Sequence, residues 1–275
     1  MVADRSPAVA LDGIAKIFPG KAAPALVDLS VTIEPGQFVA VIGKSGAGKT
    51  TLLRCLSRAT TVSRGAIRFD QTDVAELRGR ALRAHRTRVG MIYQQFNLVR
   101  RLPVFDNVLI GRLGRLGGFE RWAALVRHFD RAQRAIAFRC LDHVGLLDRV
   151  WQRTDTLSGG EQQRVAIAKI LAQEPAVILA DEPVASLDLS NGRVVMQTLR
   201  RVASAVGITV IATLHHVGLA RSYADRILGL KAGRLVFDGP ASGLTDAALF
   251  EIFGEFVTEP PGQSEGERLG ELAAS

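Results

Sequence analysis

The sequence predicts an α/β fold with an antiparallel β N-terminal subdomain and an α-helical insert that divides the main sheet along the chain. Three observations carry this expectation. Alternating apolar runs open the chain; a continuous β-branched run, QFVAVIG, ends at a glycine and feeds a helical pattern; and a long stretch with helical periods but no convincing strand separates it from later strand-like runs.

Taken in order, AVALDGIAKIF and ALVDLSVTI alternate apolar and polar residues, as strands of an antiparallel sheet do. QFVAVIG reads as a buried strand, followed by a loop and the helix KTTLLRCLSRA. AIRFD and RVGMIYQ are further strands flanking a helical stretch from Val74 to Arg86. From about Asn97 to Thr156 only helical periods recur, most clearly from Ala132 to Val144. Strand chemistry resumes with AVILAD at Ala176, then ITVIATL, RILGL and RLVFDG, separated by helical patterns from Asn191 to Val206 and Val217 to Ala224. The expected division is one unit over residues 5–256, with a core at about 5–96 and 173–256 and a helical subdomain at about 97–172. The tail, 257–275, is rich in Pro, Gly and Glu and is expected to be disordered.

At 275 residues, 47% hydrophobic and 23% charged, the chain has enough apolar material to bury a full core. Its two cysteines, Cys55 and Cys140, lie in helical patterns with no metal-ligand spacing and read as buried apolar residues of a reducing compartment. The start, MVADRSPAVALDG, has neither basic leader nor apolar region, and no window approaches a membrane span, so a soluble chain is expected. The net charge of +8 owes much to Arg112, Arg115, Arg121, Arg127, Arg131, Arg134 and Arg139. That balance fits a solvated helical face as well as an anionic partner.

GKSGAGKT is a full G-x-x-x-x-G-K-T between an apolar strand and a helix. Gly43, Gly46 and Gly48 let backbone N–H groups of the loop, with Lys44, Ser45 and Ala47 between them, curl around phosphate oxygens. Lys49 supplies charge to the β and γ phosphates, Thr50 offers a hydroxyl to Mg²⁺, and Thr51 completes the expected nucleotide set. In VILADEP, Asp181 and Glu182 end a buried strand, where open α/β sheets hold ligands. One carboxylate there suits Mg²⁺ and its neighbour suits a general base. LSGGEQQ places Ser158 at a helix start with Gly159, Gly160 and Glu161 in the first turn. Alone this is a capped amphipathic helix; its glycine N–H groups also make it a second phosphate-binding element.

Together GKSGAGKT, VILADEP and LSGGEQQ resemble the motifs of the ATP-binding cassette ATPases, and the resemblance runs from about Val9 to Phe253. It implies a P-loop NTPase with a RecA-like core, the ABC ATPase fold. It also implies a head-to-tail dimer in which LSGGEQQ of one subunit completes the ATP site of the other. By the same resemblance, Gln94 touches Mg²⁺ and reports nucleotide state, Ser186, Leu187 and Asp188 cross the dimer interface, His215 contacts the γ-phosphate, and Phe18 stacks on adenine. Mg²⁺ is then held by Thr50, Gln94 and Asp181, with Glu182 polarising water. Leu189 stands where many relatives have proline, Lys169 is a surface-type change from arginine, and His216 competes with His215. His85, His128 and His143 match nothing.

Within that family, QQFNLVRRLPVFDNVLIGRLG, ILADEPVASLD and TLHHVGLARSYADRILGLKAGRLVFDG look most like ATPase subunits of phosphonate importers, with phosphite and hypophosphite importers similar. The implied partners are a second copy, membrane permease subunits and a solute-binding protein, at the cytoplasmic side of the inner membrane. Importers of other solutes, lipid or peptide exporters, and DNA-repair or translation cassettes remain alternatives. The last is disfavoured because the chain has no coiled-coil insertion and no second cassette, so no nucleic acid is expected.

Overall fold

The computed structural model describes residues 8–21, 23–117, 120 and 129–255. The expected disordered tail, Arg121, Arg127 and His128 lie outside the described residues.

Two sheets organise the molecule. The first, antiparallel, has the order β2 (Leu26–Ile33), β1 (Val9–Lys16), β4 (Arg64–Phe69), β5 (Thr72–Asp73). The second has the order β10 (Arg234–Pro240), β9 (Arg226–Lys231), β3 (Phe38–Ile42), β8 (Thr209–Thr213), β7 (Val177–Asp181), β6 (Val89–Ile92). It is parallel from β9 to β6, and β10 joins its edge antiparallel. Each sheet is thus built from separated stretches of the chain.

The period-two geometry of a strand sorts the second sheet's side chains into two cores. Val39, Val41, Leu179, Ile211 and Leu228 pack with the antiparallel sheet and α1 (Lys49–Leu56). Phe38, Ala40, Ile42, Ile178, Ala180, Val210 and Ala212 face the other way. There they meet residues of α3 (Val104–Ile110), α4 (Arg131–His143), α5 (Gly159–Ala172), α6 (Leu189–Val206) and α7 (Val217–Tyr223). With both faces covered, the central strands are apolar without alternation, which is why they stood out as continuous runs. Full burial of each such Leu or Ile contributes about 1.5–3 kcal/mol.

Two elements differ from expectation, and two expected strands find their sheets. The helix expected from Val74 begins five residues later, as α2 (Gly79–Arg88). The Arg58 guanidinium takes the carbonyls of Val74 (2.6 Å), Ala75 (3.0 Å) and Leu77 (3.4 Å), and so holds that stretch as a loop. AIRFD belongs to the antiparallel sheet, paired with β1, whereas RVGMIYQ supplies the edge of the second. A helix not anticipated, α8 (Asp246–Phe253), is capped by the Thr245 hydroxyl and buries Leu249 and Ile252. Its Ile252 lies so close to Gly229 that a Cβ there would sit 2.5 Å from it.

Both cysteines are free and buried. Burial pushes the Cys55 thiol up to about 11 and the Cys140 thiol to about 12. No helix among the described residues is long and apolar enough to cross a membrane.

Candidate functional site

The carboxyl ends of β3, β7 and β8 converge on one cluster. The loop after β3 starts at Gly43, whose φ of 148° and whose closeness to Leu230 O, 2.2 Å from any added Cβ, admit only glycine. Gly48, at φ 105°, caps α1 and lies as tightly against Ala25 O. The loop therefore carries no side chain at either hinge, and the first turn of α1 is left without a side-chain cap. Its open N–H groups and helix dipole favour an anion.

Lys49 follows the exposed Lys44, Ser45 and Gly46 of the loop, yet its own side chain is enclosed. It is 5% exposed, and its ammonium donates to Gly43 O (2.7 Å) and Lys44 O (3.1 Å). Burial pulls its pKa down, against the opposing pull of Glu182 and Asp181. Beside it, Thr50 Oγ1 donates to Asp181 Oδ1 at 3.0 Å. Parallel pairing sets Asp181 opposite Thr213, which donates to the same oxygen at 3.0 Å. The Thr213 hydroxyl in turn accepts the Glu182 N–H at 2.8 Å. Glu182 sits at φ 50°, a left-handed conformation costly for a non-glycine residue. His215 Nε2 lies 2.5 Å from Glu182 Oε1. His216, the competing histidine, forms the N-cap position of α7.

Thr213 escaped the sequence reading because a hydroxyl inside ITVIATL looks like one more β-branched residue. It is fully buried and joins the Asp181 carboxylate to the Glu182 backbone N–H through one oxygen. Thr213→Val is expected to lower kcat roughly thirtyfold, as two buried hydrogen bonds of about 1 kcal/mol each are lost. ATP affinity should hold; steady-state kinetics with nucleotide titration checks both.

A second cluster lies at the start of α5. Ser158 caps the helix by accepting from Glu161 N–H, while the Glu161 carboxylate accepts from Ser158 N–H (2.9 Å) and Oγ (2.8 Å). The Ser158 N–H, then hydroxyl, hold the Glu161 carboxyl below the usual range. Glu161 thus shapes the turn. Asp188 likewise caps α6 through Asn191 N–H (2.9 Å). The two caps touch: a Cβ on Gly159 would lie 3.1 Å from Leu187, and one on Gly160 3.1 Å from Asn191. Among the described residues, no hydrogen bond or ion pair joins Gly43–Thr51 to Leu157–Gln163.

Three expected residues stand apart. Gln94 follows β6 and is exposed, with no hydrogen bond to Thr50 or Asp181 among the described residues. Phe18 lies just beyond β1, its ring 5.0 Å from the Lys16 ammonium. Lys169, read as a surface-type position, is partly buried, and its ammonium donates to Asn97 O at 2.7 Å. That contact ties α5 to the segment after Gln94. His85 is buried against Leu56 O, and His143 lies on α4, so neither belongs to the clusters.

Residues 26–185 match the family described as ABC transporter. The chain is 48% identical over 254 residues to a phosphonates import ATP-binding protein of Bradyrhizobium diazoefficiens, covering 92% of this chain and 93% of that protein. It is 46% identical over 234 residues to another of Halalkalibacterium halodurans, covering 85% and 90%. Among solved structures it is similar to a dimeric ATP-binding cassette in a post-hydrolysis state bound to ADP and Pi. The TM-score is 0.73 at 30% identity, with 86% of this chain and 99% of that one covered. The fold is shared with cbiO1 from Clostridium perfringens at a TM-score of 0.78 and 23% identity, covering 98% and 100%.

Proposed function

Because the chain belongs to the ABC transporter family, and so is an ATP-binding ATPase, we propose that it energises the import of phosphonate or a related phosphite-type anion through a membrane permease. The cargo comes from the similarity to phosphonates import proteins along most of the chain. The observation that carries the mechanism is the separation of the two clusters: one has a phosphate loop, a base and acids, and the other only open N–H groups at a helix start. Neither encloses a nucleotide, and a head-to-tail dimer joins one of each.

In this reading the Gly43–Thr51 loop holds the phosphates and Phe18 the base, while Ser158, Gly159 and Gly160 of the second copy close over the γ-phosphate. ATP binding draws the Lys49 ammonium from its own loop carbonyls to the β and γ phosphates. Glu182 takes a proton from the attacking water, and His215, now 2.5 Å from it, turns to steady the γ-phosphate. Two hard oxygens 3.0 Å apart, on Thr50 and Asp181, suit Mg²⁺, and these two residues together with Gln94 would hold it. When bound, that ion offsets the charge on the transferring phosphoryl group.

The division into a core at 5–96 and 173–256 and a helical subdomain at 97–172 gives the permease a place to dock. A groove of about 430 Å³ lined by Ser57, Ala59, Tyr93, Phe96, Asn97 and Lys169 runs between the two beside Gln94. We place the chain peripherally at the cytoplasmic face of the inner membrane, with a solute-binding protein completing the complex. In proteoliposomes holding the chain and its permease, ATP turnover should rise several-fold with a solute-binding protein loaded with methylphosphonate. Stimulation by an amino-acid-loaded protein instead would replace the cargo, and no stimulation by any would overturn import.

A further inference from the structure

Away from both clusters, near the amino ends of β6, β7 and β8, a cavity of about 540 Å³ opens between the sheet core and the helical insert. Its size lies within the roughly 300–1,000 Å³ typical of small-molecule sites. The walls are apolar: Ile136 and Cys140 of α4, Leu171 of α5, Val202 and Val206 of α6, and Ile208. With its pKa at about 12, the Cys140 thiol is neutral and adds to that apolar wall.

Charge enters from one sign. Arg88, Arg115 and Arg139 line the cavity together with His143. Glu174 is the one carboxylate among the described lining residues, and Arg112, buried at 5% exposure, neutralises it at 2.8 Å. The same guanidinium also donates to Gln133 Oε1 and Ala172 O, so it is fixed in place. Arg115 is held too, donating to Gln173 O at 2.9 Å and to Glu174 O. Arg139 is exposed and brings its guanidinium to the lining. An apolar chamber with guanidinium groups at its boundary suits a ligand with an apolar chain and an anionic head.

We propose that this cavity binds a single-chain amphipathic organic anion, an effector that clamps the helical insert against the sheet core. Ala84, Thr87, Pro175 and Ala176 contribute from the core, and Arg115, Arg139 and Cys140 from the insert, so an occupant contacts both. A ligand that prefers one arrangement of the two shifts the population toward it and changes ATP turnover.

Anilinonaphthalene sulfonate fluorescence on the purified full chain tests the site. Decanoate below its micellar concentration should displace the probe and change ATP turnover, and decyltrimethylammonium should do neither. Arg139→Glu, at an exposed position, and Val206→Trp, which fills the chamber, should each weaken probe binding about tenfold or more. ATP affinity and the melting midpoint should stay as in the parent, and decanoate should no longer affect turnover. Equal displacement by the cation, displacement by phosphatidylglycerol vesicles but not by decanoate, or unchanged probe affinity in Arg139→Glu overturns the proposal. Should Val206→Trp fail to fold, Arg139→Glu decides alone.

Discussion

Glu182→Gln is expected to slow ATP hydrolysis by roughly 10²–10⁴-fold, the range typical of a lost general base, with ATP binding retained. Glutamine keeps the size of the side chain and its capacity to hydrogen bond, but does not take the proton of the attacking water. The backbone argument supports the choice of variant: residue 182 sits at φ 50°, and Glu and Gln meet the same cost there, so the loop is undisturbed. The Thr213 contact to its N–H is also independent of the side chain. With the γ-phosphate uncleaved between the phosphate loop of one copy and LSGGEQQ of the other, ATP with Mg²⁺ should hold the variant as a dimer, and ADP should not. Light scattering after size exclusion reads this directly. A variant that stays monomeric at saturating ATP, with its permease supplied, sinks the shared site. Asp181→Asn should differ, losing Mg²⁺ dependence without accumulating the dimer.

Lys49→Ala is expected to abolish hydrolysis and to weaken ATP binding strongly. The side chain is not free before the nucleotide arrives: it bridges the carbonyls of Gly43 and Lys44 inside the loop. Removing it takes away the charge proposed to meet the β and γ phosphates and also the tie that shapes the loop. Lys49→Arg therefore serves as the companion, keeping the charge but overfilling a position that is 5% exposed. Calorimetry should show both variants impaired and circular dichroism both folded, since the two cores do not use the Lys49 side chain. ATP affinity unchanged in Lys49→Ala would remove the loop from the site.

Much of the site was legible because its chemistry is local in the chain. Gly43 to Thr50, Asp181 with Glu182, and Ser158 to Glu161 are short runs whose spacing alone dictates a loop, a strand end or a cap. What escaped depends on partners far away in sequence. Thr213 acts only because parallel register sets it across from Asp181. The start of α2 is set by Arg58, sixteen residues before Val74. Lys169 looked like a solvent-facing substitution until Asn97 appeared beside it. The sheet to which AIRFD belongs was likewise not readable, since alternation reports a buried face and not its neighbour. The helix α8 was passed over because it is short and six of its eight residues, DAALFEIF, are apolar, which leaves no alternation of faces to mark a helical period.

The Lys169 contact has a mechanical side. An ammonium on one carbonyl is a ball joint: it transmits a pull along its length and leaves both parts free to swivel, whereas a guanidinium fork on the same backbone would also lock their angle. The strip of chain beyond Gln94 and the rod that begins at Ser158 therefore travel together without having to turn together. On the proposed docking of a permease beside Asn97, force there passes to the LSGGEQQ end of that rod as displacement, with the torsional part let go along the way.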